Sequence, residues 1–502
     1  MINIKSSNKI AKEILNKAFV RSHGNFKFNE EVKIYCFISP NEKDEVIIQD
    51  IIKNQKSKVL IFGKISNNLA ALIGLILNNN AFNLDEISFS HEKEEDKSNL
   101  VVKYNDHILN KSNALKDRYF YRFDFTDEWN NLAYGSISTD DSIWSVCNSL
   151  DIADAQALSY IFDNEEKISI FSSLKDFDKS SVLYINREVG TIDGLDWSVV
   201  EEFLTFYRNE ELPSLPLILD IPEGCVSVAS SRLDCDQSII NSKSIVDLYK
   251  KYNINISLAI STGININQND IDFLNDFFDN EGAVLSHTIN HHYYWGKSYN
   301  IAYDEAIGSK NWIEENVENL NDLKYAVSPF HSNKPYSVQA LNDADYKGFI
   351  SGIIHNDPEF LIATSGEVPF VNGKIVTHSQ QCMFHGDSYH RTNNSLRIYK
   401  QSFENHYNSS KLFGYLDHPF GDYTYGWNNE EERLSVHEEF INYINSYENV
   451  KWMTCIEILD FVTDKSNIDI HIDENNNLTL DRKSFNSKEK IKVLYKNKEY
   501  IC

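Results

Sequence analysis

The chain has few cysteines, and their distribution excludes two kinds of structure. It contains 7 cysteines among 502 residues, spread along the sequence, odd in number and without a Cys-x-x-Cys pair. A disulfide-stapled fold needs paired cysteines, and a cysteine-based zinc site needs closely spaced ones. The cysteines therefore predict reduced thiols, as is usual in a cytosol.

Long hydrophobic runs are also missing. The sequence has no uninterrupted apolar stretch of about 18 residues, the length that a membrane-spanning helix requires, so we expect no transmembrane segment. Residues 1–19, MINIKSSNKIAKEILNKAF, scatter lysines through an amphipathic pattern and lack the apolar core of a secretory signal. We expect a cytoplasmic protein.

Positive charge is scarce. The chain carries 48 lysine and arginine residues against 74 aspartate and glutamate residues, a formal net charge of −26 at pH 7. A surface of this sign repels phosphate backbones, so nucleic acid is a poor candidate partner. The sequence leaves the oligomeric state open.

The first 215 residues alternate helical and strand-like patterns, which predicts an α/β region of unknown role. Its division into two subdomains near residue 115 is an alternative. The acidic stretch DIADAQALSYIFD (151–163) is interpreted as helical. The turn FGKISNN (62–68) has neither GxGxxG nor GxxxxGK[ST], so we assign no nucleotide site there.

A regular alternation of strand-like and helical segments occupies residues 216–464. Pro213 and Pro216 end the preceding helical pattern and mark the boundary. The alternation predicts a parallel α/β barrel, complete or distorted, with its functional residues at the C-terminal ends of the strands. Residues 465–502 alternate with period two between polar turns, which predicts a small β appendage packed on the barrel.

Two histidines distinguish the segment AVLSHTINHHYYWG (283–296). If the segment begins a helix, His287 and His291 lie on one face, about 5–6 Å apart at Cβ. That spacing suits two ligands of one divalent metal. Two polar residues packed near a helix start are the alternative. His292 lies one step of about 100° further around such a helix and points elsewhere.

Asp234 and Asp236 stand two positions apart at the end of a predicted strand, so their side chains point to the same side. One carboxylate can bind a metal while the other stays free as a base. An exposed polar turn is the alternative. With His287 and His291, Asp236 completes a set of two histidines and one carboxylate that leaves coordination positions open for water and substrate.

Motifs along residues 220–463 resemble those of the polysaccharide deacetylases, the family with NodB homology also called carbohydrate esterase family 4. HTINH (287–291) matches the H-[ST]-x-x-H metal motif of that family. RLDCD (232–236), SPF (328–330) and LDHP (416–419) are similar to its first, third and last motifs. An atypical subgroup associated with surface-polysaccharide biosynthesis looks closer still, on RLDCD, SPFH, HSQQCM and FGYLDHPF. The resemblance implies the distorted (β/α) barrel of the family for residues 216–464.

The resemblance also implies a role for each matching position. Asp234 is then the general base and His418 the general acid, and the backbone N–H of Phe330 helps to stabilise the oxyanion of an acetamide under attack by water. One divalent metal, with zinc as the expected ion, is held by Asp236, His287 and His291. The residues expected to bind the substrate are Arg232, Trp295, Pro329, His331, His385 and Tyr425.

Three departures from the family pattern leave alternatives open. Cys235 separates two aspartates that are usually adjacent, so the base and ligand roles are exchangeable. Val327 stands where the third motif has an arginine, for which Arg232 is a candidate substitute. No fourth motif is found, which leaves open the acid that orients His418. The candidates are Asp357, Asp387 and Asp422.

These observations predict a metal-dependent hydrolase that removes an N-acetyl group from an acetamido sugar in surface glycan biosynthesis. The sugar is polymeric, lipid-linked or nucleotide-linked. A non-catalytic carbohydrate-binding or scaffolding protein that retains the barrel is the alternative. A third hypothesis keeps the metal but assigns the hydrolysis of another amide or of an ester.

Overall fold

The structure of the protein is a computed structural model that describes residues 2–28, 33–78, 97–105, 109, 118–121, 146–189, 197–352, 365–380 and 382–502. Within these ranges no helix has both the length and the apolar character needed to span a bilayer.

The N-terminal region is built on an eight-stranded sheet with the order β1-β3-β4-β11-β10-β9-β6-β7. Strands β1, β3, β4 and β11 run parallel to one another, and the others pair antiparallel. The strands of this region are β1 (Asn3–Lys5), β2 (Asn25–Phe28), β3 (Ile34–Ile38), β4 (Ser57–Phe62), β5 (Leu75–Leu77), β6 (Lys97–Tyr104), β7 (Arg118–Tyr121), β8 (Leu150–Ile152), β9 (Gln156–Asp163), β10 (Glu166–Asp176) and β11 (Ser180–Ile185). The helices are α1 (Lys9–His23), α2 (Glu42–Asn54), α3 (Asn67–Leu72) and α4 (Ser198–Thr205).

The helical interpretation of residues 151–163 is wrong. This stretch contains β8 and β9, and β9 is hydrogen-bonded to β10 on one side and to β6 on the other. Leu158 and Ile161 of β9 are buried. Two flanking strands and a buried face outweigh the local helical pattern, because propensity is a weaker term than tertiary pairing.

The second region contains a ten-stranded sheet. Its order is β18-β19-β17-β16-β15-β14-β13-β21-β20, with β22 paired to β13. The strands of this sheet are β13 (Ser227–Cys235), β14 (Ser257–Ile260), β15 (Ala283–Ser286), β16 (Tyr325–Val327), β17 (Gly348–Gly352), β18 (Ser365–Glu367), β19 (Val376–Gln380), β20 (Cys382–Met383), β21 (Leu412–Asp417) and β22 (Val450–Trp452). Strand β12 (Leu217–Pro222) precedes them and lies outside this sheet. The helices are α5 (Lys243–Lys251), α6 (Gln268–Asp279), α7 (Tyr299–Asn316), α8 (Pro335–Asp343), α9 (Gly386–Arg391), α10 (Arg397–Asn408), α11 (Glu430–Asn445) and α12 (Cys455–Ser466).

The predicted parallel strand–helix architecture is observed. All strand pairs of the ten-stranded sheet are parallel except β18 with β19. Every residue of β13 and β21 is buried, as in parallel strands covered on both faces. Among the described residues no ladder joins the edge strands β18 and β20, so the closure of a barrel stays a prediction.

The C-terminal tail forms four strands, β23 (Ile468–Ile472), β24 (Leu478–Arg482), β25 (Ile491–Tyr495) and β26 (Lys498–Ile501). Strand β23 pairs with β2 of the N-terminal region, and β25 pairs with β12. One cluster of buried apolar side chains includes Ile14 of α1, Ile218 of β12, Leu459 of α12 and Ile470 of β23. The tail thus packs into a core shared by both larger regions.

Candidate active site

Four parallel strands, β16, β15, β13 and β21, end at the same edge of the ten-stranded sheet, where β14 lies between β15 and β13, and each of the four ends carries a polar side chain. Asp234 lies near the end of β13, His287 follows β15, and His418 follows β21. The turn Pro329–His331 follows β16. The C-terminal ends of parallel strands meet at one edge, as expected from the sequence, which places the candidate site there.

The segment after β15 is a turn and not a helix. Thr288 and His291 have positive φ angles of 68° and 50°, which a helix excludes. The buried Glu305 of α7 holds the turn, because its carboxylate accepts hydrogen bonds from the backbone N–H groups of Ile289 at 2.9 Å and Asn290 at 2.8 Å. The helical premise of the histidine spacing is therefore wrong, although the turn still brings the two histidines together.

The rings of His287 and His291 lie 4.5 Å apart, centre to centre, and the Phe330 ring lies 4.5 Å from His291. His287 donates from Nδ1 to the Val327 carbonyl at 3.1 Å, which leaves Nε2 as the unprotonated nitrogen. Burial lowers the pKa of His287, and it lowers the pKa of His291 to about 3. Both imidazoles are therefore neutral at pH 7, the form that binds metal ions.

Asp234 is buried beside this pair and is held by an arginine. Its Oδ2 lies 3.9 Å from His287 Nε2. Arg232, also buried, donates from Nε to Oδ1 at 2.6 Å and from Nη2 to Oδ2 at 3.0 Å. Burial alone would raise the pKa of Asp234, but the charge of Arg232 and the neighbouring His287 hold it below its ordinary value. Asp234 is therefore a carboxylate at neutral pH.

Gln380 completes the environment of Arg232. Its Oε1 accepts a hydrogen bond from Arg232 Nη1, and its Nε2 donates to Ser230 at 3.4 Å. Gly414 of β21 makes room for it, because an alanine Cβ there would lie 2.7 Å from Gln380 Cγ. Arg232 thus supports Asp234 from inside the sheet, and its contact with a substrate stays a prediction.

His418 is anchored through its backbone and its neighbour. Arg433 of α11, fully buried, donates to the His418 carbonyl and to Asp417 Oδ2 at 3.3 Å. His437 donates from Nε2 to the same Asp417 oxygen at 3.0 Å and accepts at Nδ1 from the Tyr249 hydroxyl at 2.9 Å. Burial would raise the pKa of Asp417, but Arg433 and His437 hold it below its ordinary value.

Tyr425 connects His418 with Asp236. Its ring stacks on the His418 imidazole with centres 3.8 Å apart and an angle of 10° between the planes. Its hydroxyl donates to the Asp236 carboxylate, 2.9 Å from Oδ1 and 3.1 Å from Oδ2. Burial and the Asp236 charge raise the pKa of Tyr425, so the phenol stays protonated.

Of the three predicted metal ligands, His287 and His291 are better suited to a divalent metal than Asp236 is. Neutral imidazoles 4.5 Å apart are suitable donors. Asp236 is hydrogen-bonded to Tyr425, although its charge still acts on His287. In the described part of the chain, no group of three His, Cys, Asp or Glu side chains is arranged to hold a metal ion. The fit is therefore limited to the histidine pair.

The remaining residues expected to bind substrate differ in their burial and in their contacts. His331 and Pro329 are buried, and the charges of Arg232 and Asp234 act on His331. His385 lies edge-on to Tyr425, with ring centres 5.8 Å apart. Trp295 is only 1% exposed and donates its indole N–H to the Ser332 carbonyl at 3.0 Å, so its ring packs in the core, and its role in substrate binding stays a prediction.

Several residues of the site were not found from the sequence. Glu305, Arg433 and His437 lie on helices, far along the chain from the side chains that they contact. Gln380 belongs to the motif HSQQCM, but no role for this glutamine follows from the sequence. A signal for two of them was available, since Glu430, Arg433 and His437 recur at helical spacing and place three polar residues on one face of α11.

No protein-family model and no curated protein matches the chain. Among solved structures it is similar to a chitin deacetylase from the fungal pathogen Colletotrichum lindemuthianum, at 13% identity over 47% of this chain and 88% of that one, with a TM-score of 0.32. It is also similar to a family 4 acetyl xylan esterase from Clostridium thermocellum in complex with a cobalt ion, at 11% identity over 48% and 95% of the two chains, with a TM-score of 0.32.

A third similar structure is a carbohydrate esterase family 4 pseudoenzyme from Bacillus anthracis, at 11% identity over 57% of this chain and 83% of that one, with a TM-score of 0.32. The resemblance to carbohydrate esterase family 4 is carried by the sequence motifs HTINH, RLDCD, SPF and LDHP. Similarity at these identities and TM-scores assigns no activity to the chain.

Proposed function

We propose that the protein is a metal-dependent hydrolase that removes the N-acetyl group from an acetamido sugar in the biosynthesis of a surface glycan. The observation that carries the proposal is the convergence of a carboxylate, Asp234, with two neutral imidazoles and with His418. Asp234 Oδ2 lies 3.9 Å from His287 Nε2, and the rings of His287 and His291 lie 4.5 Å apart. His418 is close enough to affect the pKa values of Asp234 and His291. A carboxylate and a histidine around one pocket are suitable partners for general base and general acid catalysis.

The proposed metal is a single divalent ion, zinc by preference, held by His287, His291 and one of the two aspartates. When bound, it would polarise the acetamide carbonyl and acidify a water molecule. Asp236 would have to give up its hydrogen bond to Tyr425 to become a ligand. Asp234 is already beside His287, so both aspartates remain candidates.

The side chains of the protein would move two protons. Asp234, kept ionised by Arg232, takes a proton from the attacking water as the new C–O bond forms. The backbone N–H of Phe330 donates a hydrogen bond to the developing oxyanion. His418 gives a proton to the nitrogen as the C–N bond breaks. The products are acetate and a free amino sugar, so the atoms of the amide and of one water are conserved.

The test combines metal content with acetate release from a panel of acetamido sugars that are free, oligomeric, lipid-linked and nucleotide-linked. We expect His287→Ala to lose the metal and at least about a hundredfold in turnover, since ligand loss removes the Lewis acid. His292→Ala is the matched control, because the His292 side chain is 49% exposed and is not among the proposed metal ligands. A metal-free wild type, or unchanged turnover of His287→Ala, contradicts the proposal.

A non-catalytic glycan-binding role is the second candidate. It is favoured by the hydrogen bond that joins Asp236 to Tyr425 and by the lack of a three-donor group among the described residues. Glycan binding that survives Asp234→Asn, with no acetate released by the wild type at any pH, would support this role.

A further inference from the structure

No carboxylate among the described residues orients the imidazole of His418. Its Nδ1 is buried and has no hydrogen-bond partner in the described part of the chain. Asp387 lies beside His385, with Oδ2 3.6 Å from Nδ1, and no described hydrogen bond joins Asp422 to His418. Asp357, the third candidate from the sequence, lies outside the described residues. A ring held only through its own backbone would be free to rotate about χ1 and χ2.

We infer that Tyr425 is the positioning residue for His418, so that a stacked aromatic ring orients the general acid. The inference rests on the proposed function. The two rings are almost parallel, with centres 3.8 Å apart, and the contact covers one face of the imidazole. Stacked rings at this distance restrict each other's rotation while leaving the ring edge, which carries both nitrogens, available for a proton transfer.

Tyr425 is itself held firmly enough to serve as this support. Its hydroxyl donates to Asp236 and accepts from Gln237 Nε2 at 3.3 Å. Its carbonyl accepts from the Gly386 N–H at 2.9 Å, and the His385 ring packs edge-on against it. The backbone of Tyr425 has φ of 51°, an uncommon conformation for a bulky residue, which marks its position as determined by the surrounding contacts.

The backbone of His418 is held separately. Arg433 donates to the His418 carbonyl, and the same guanidinium binds Asp417 and Glu430. The peptide is thus held from α11 and the ring from the loop that contains Tyr425. Because the two supports are separate, replacement of Tyr425 should release the ring without moving the strand end.

The experiment compares Tyr425→Phe, which keeps the ring, with Tyr425→Leu, which removes it. Tyr423→Leu is the control, because the Tyr423 ring is 60% exposed and contacts Tyr425 at 4.9 Å. Each variant is assayed as the metal-loaded full chain with two substrates. The first is an N-acetylglucosamine oligomer, whose amine leaving group needs a proton. The second is 4-nitrophenyl acetate, whose phenolate leaving group does not.

For Tyr425→Leu we expect kcat on the acetamido sugar to fall by about tenfold to a hundredfold, with KM and the turnover of the aryl ester within about threefold of wild type. Tyr423→Leu should stay within about threefold on both substrates. Tyr425→Phe keeps the ring but loses the hydroxyl contacts to Asp236 and Gln237, so its loss of kcat on the acetamido sugar should be clearly smaller than that of Tyr425→Leu. Equal losses on both substrates, or a loss in Tyr425→Phe as large as in Tyr425→Leu, would overturn the inference, since the hydroxyl contact to Asp236 would then be the important one.

A second measurement does not depend on turnover. In protein labelled with ¹³C at histidine Cε1, the His418 signal, assigned through His418→Gln, should carry the ring-current shift of the stacked tyrosine. The shift should persist in Tyr425→Phe and disappear in Tyr425→Leu. If the wild type releases no acetate from any sugar, the proposed function fails, and this signal alone decides whether Tyr425 orients His418. An unchanged signal in Tyr425→Leu contradicts the inference.

Discussion

His406, a buried histidine outside the candidate site, makes the stability of the protein depend on pH. His406 of α10 is buried, and its Nδ1 donates to the Ser402 carbonyl at 2.8 Å. No described residue is hydrogen-bonded to its Nε2. Burial lowers the pKa of His406 from 6.5 to about 4. A proton on this ring would thus have no partner at Nε2 and little access to water.

The stability of the protein should therefore fall as the pH decreases from about 6.5 to about 4, in part because of His406. Above pH 6.5 the ring is neutral in both states and contributes no pH dependence. Between the two values the unfolded chain binds a proton that the folded chain does not, which favours unfolding by up to about 3 kcal/mol. Thermal melts of His406→Gln across this range should show a shallower loss than the wild type.

The exposed His471 supplies the control for this titration. His471→Gln should leave the pH profile of the melting temperature unchanged. A His406→Gln profile parallel to that of the wild type would mean that the histidine titrates normally in the folded state.

At the residue scale, the sequence predicted identities better than roles. The residue types and their order predict Asp234, His287, His291 and His418 as site residues, and these lie near or after the C-terminal ends of β13, β15 and β21. Arg232 is predicted to contact the substrate or to substitute for the motif arginine, and in the structure it binds Asp234. The difference arises because a motif shows which chemistry is present, whereas the partner of a buried charge depends on packing.

At the scale of elements, the loop that carries Tyr425 is fixed by close contact with the start of α9. An alanine Cβ at Gly386 would overlap the carbonyl carbon of Gly426 and the nitrogen of Trp427. Both of these are backbone atoms, which cannot rotate away as a flexible side chain can. The two backbones can approach this closely only because residue 386 has no side chain.

Gly386→Ala should therefore push the Tyr425 loop away from α9 and destabilise the protein by about 1–3 kcal/mol, as overpacking usually does. Gly421→Ala, in the same loop, is the control. Its Cβ would approach only Asn241 Nδ2, at 3.0 Å, and that side chain can move. The variant should therefore change stability by less than about 0.5 kcal/mol. Melting temperatures of the two variants are to be compared. Equal values would show that the loop adjusts without cost.

For some elements, the periodicity of the sequence is sufficient to predict the secondary structure. The alternation of strands and helices after residue 216 predicted the parallel sheet, because both periods are local properties of the sequence. The four-residue spacing of His287 and His291 fits one face of a helix, whereas the structure has a turn at these residues. The carboxylate that holds the turn comes from Glu305, which the local pattern does not include.

At the scale of the whole molecule, a buried cluster of five charges joins the N-terminal region to the second region. Asp220 of β12 accepts from Arg21 of α1 at 2.6 Å, and from Lys411 and Lys465. Glu201 of α4 binds Arg21 at 2.9 Å and Lys411 at 3.3 Å. At most 10% of each of these side chains is exposed. The three cations hold the pKa of Asp220 below its ordinary value, against the effect of burial.

Asp220→Asn should destabilise the whole protein by about 3–5 kcal/mol, since a neutral amide leaves three buried cations with a single carboxylate. The melting temperature should fall accordingly, and limited proteolysis should cleave the variant sooner than the wild type. Asp247→Asn is the control, because Asp247 pairs with Lys243 at the surface with 52% of its side chain exposed, and its loss should cost less than about 1 kcal/mol. A mild effect at Asp220, equal to that at Asp247, would contradict a structural role for the cluster.

The sequence by itself determined the residue types at the strand ends and the alternation that builds the parallel sheet, because both depend on neighbours a few positions away. Only the tertiary structure decided which side chains contact one another. Arg232 meets Gln380 across 148 positions, and Tyr425 meets Asp236 across 189. Contacts at such separations form only when the whole chain has packed, so no local pattern contains them. For the same reason Tyr425, expected to contact a sugar, lies stacked on His418.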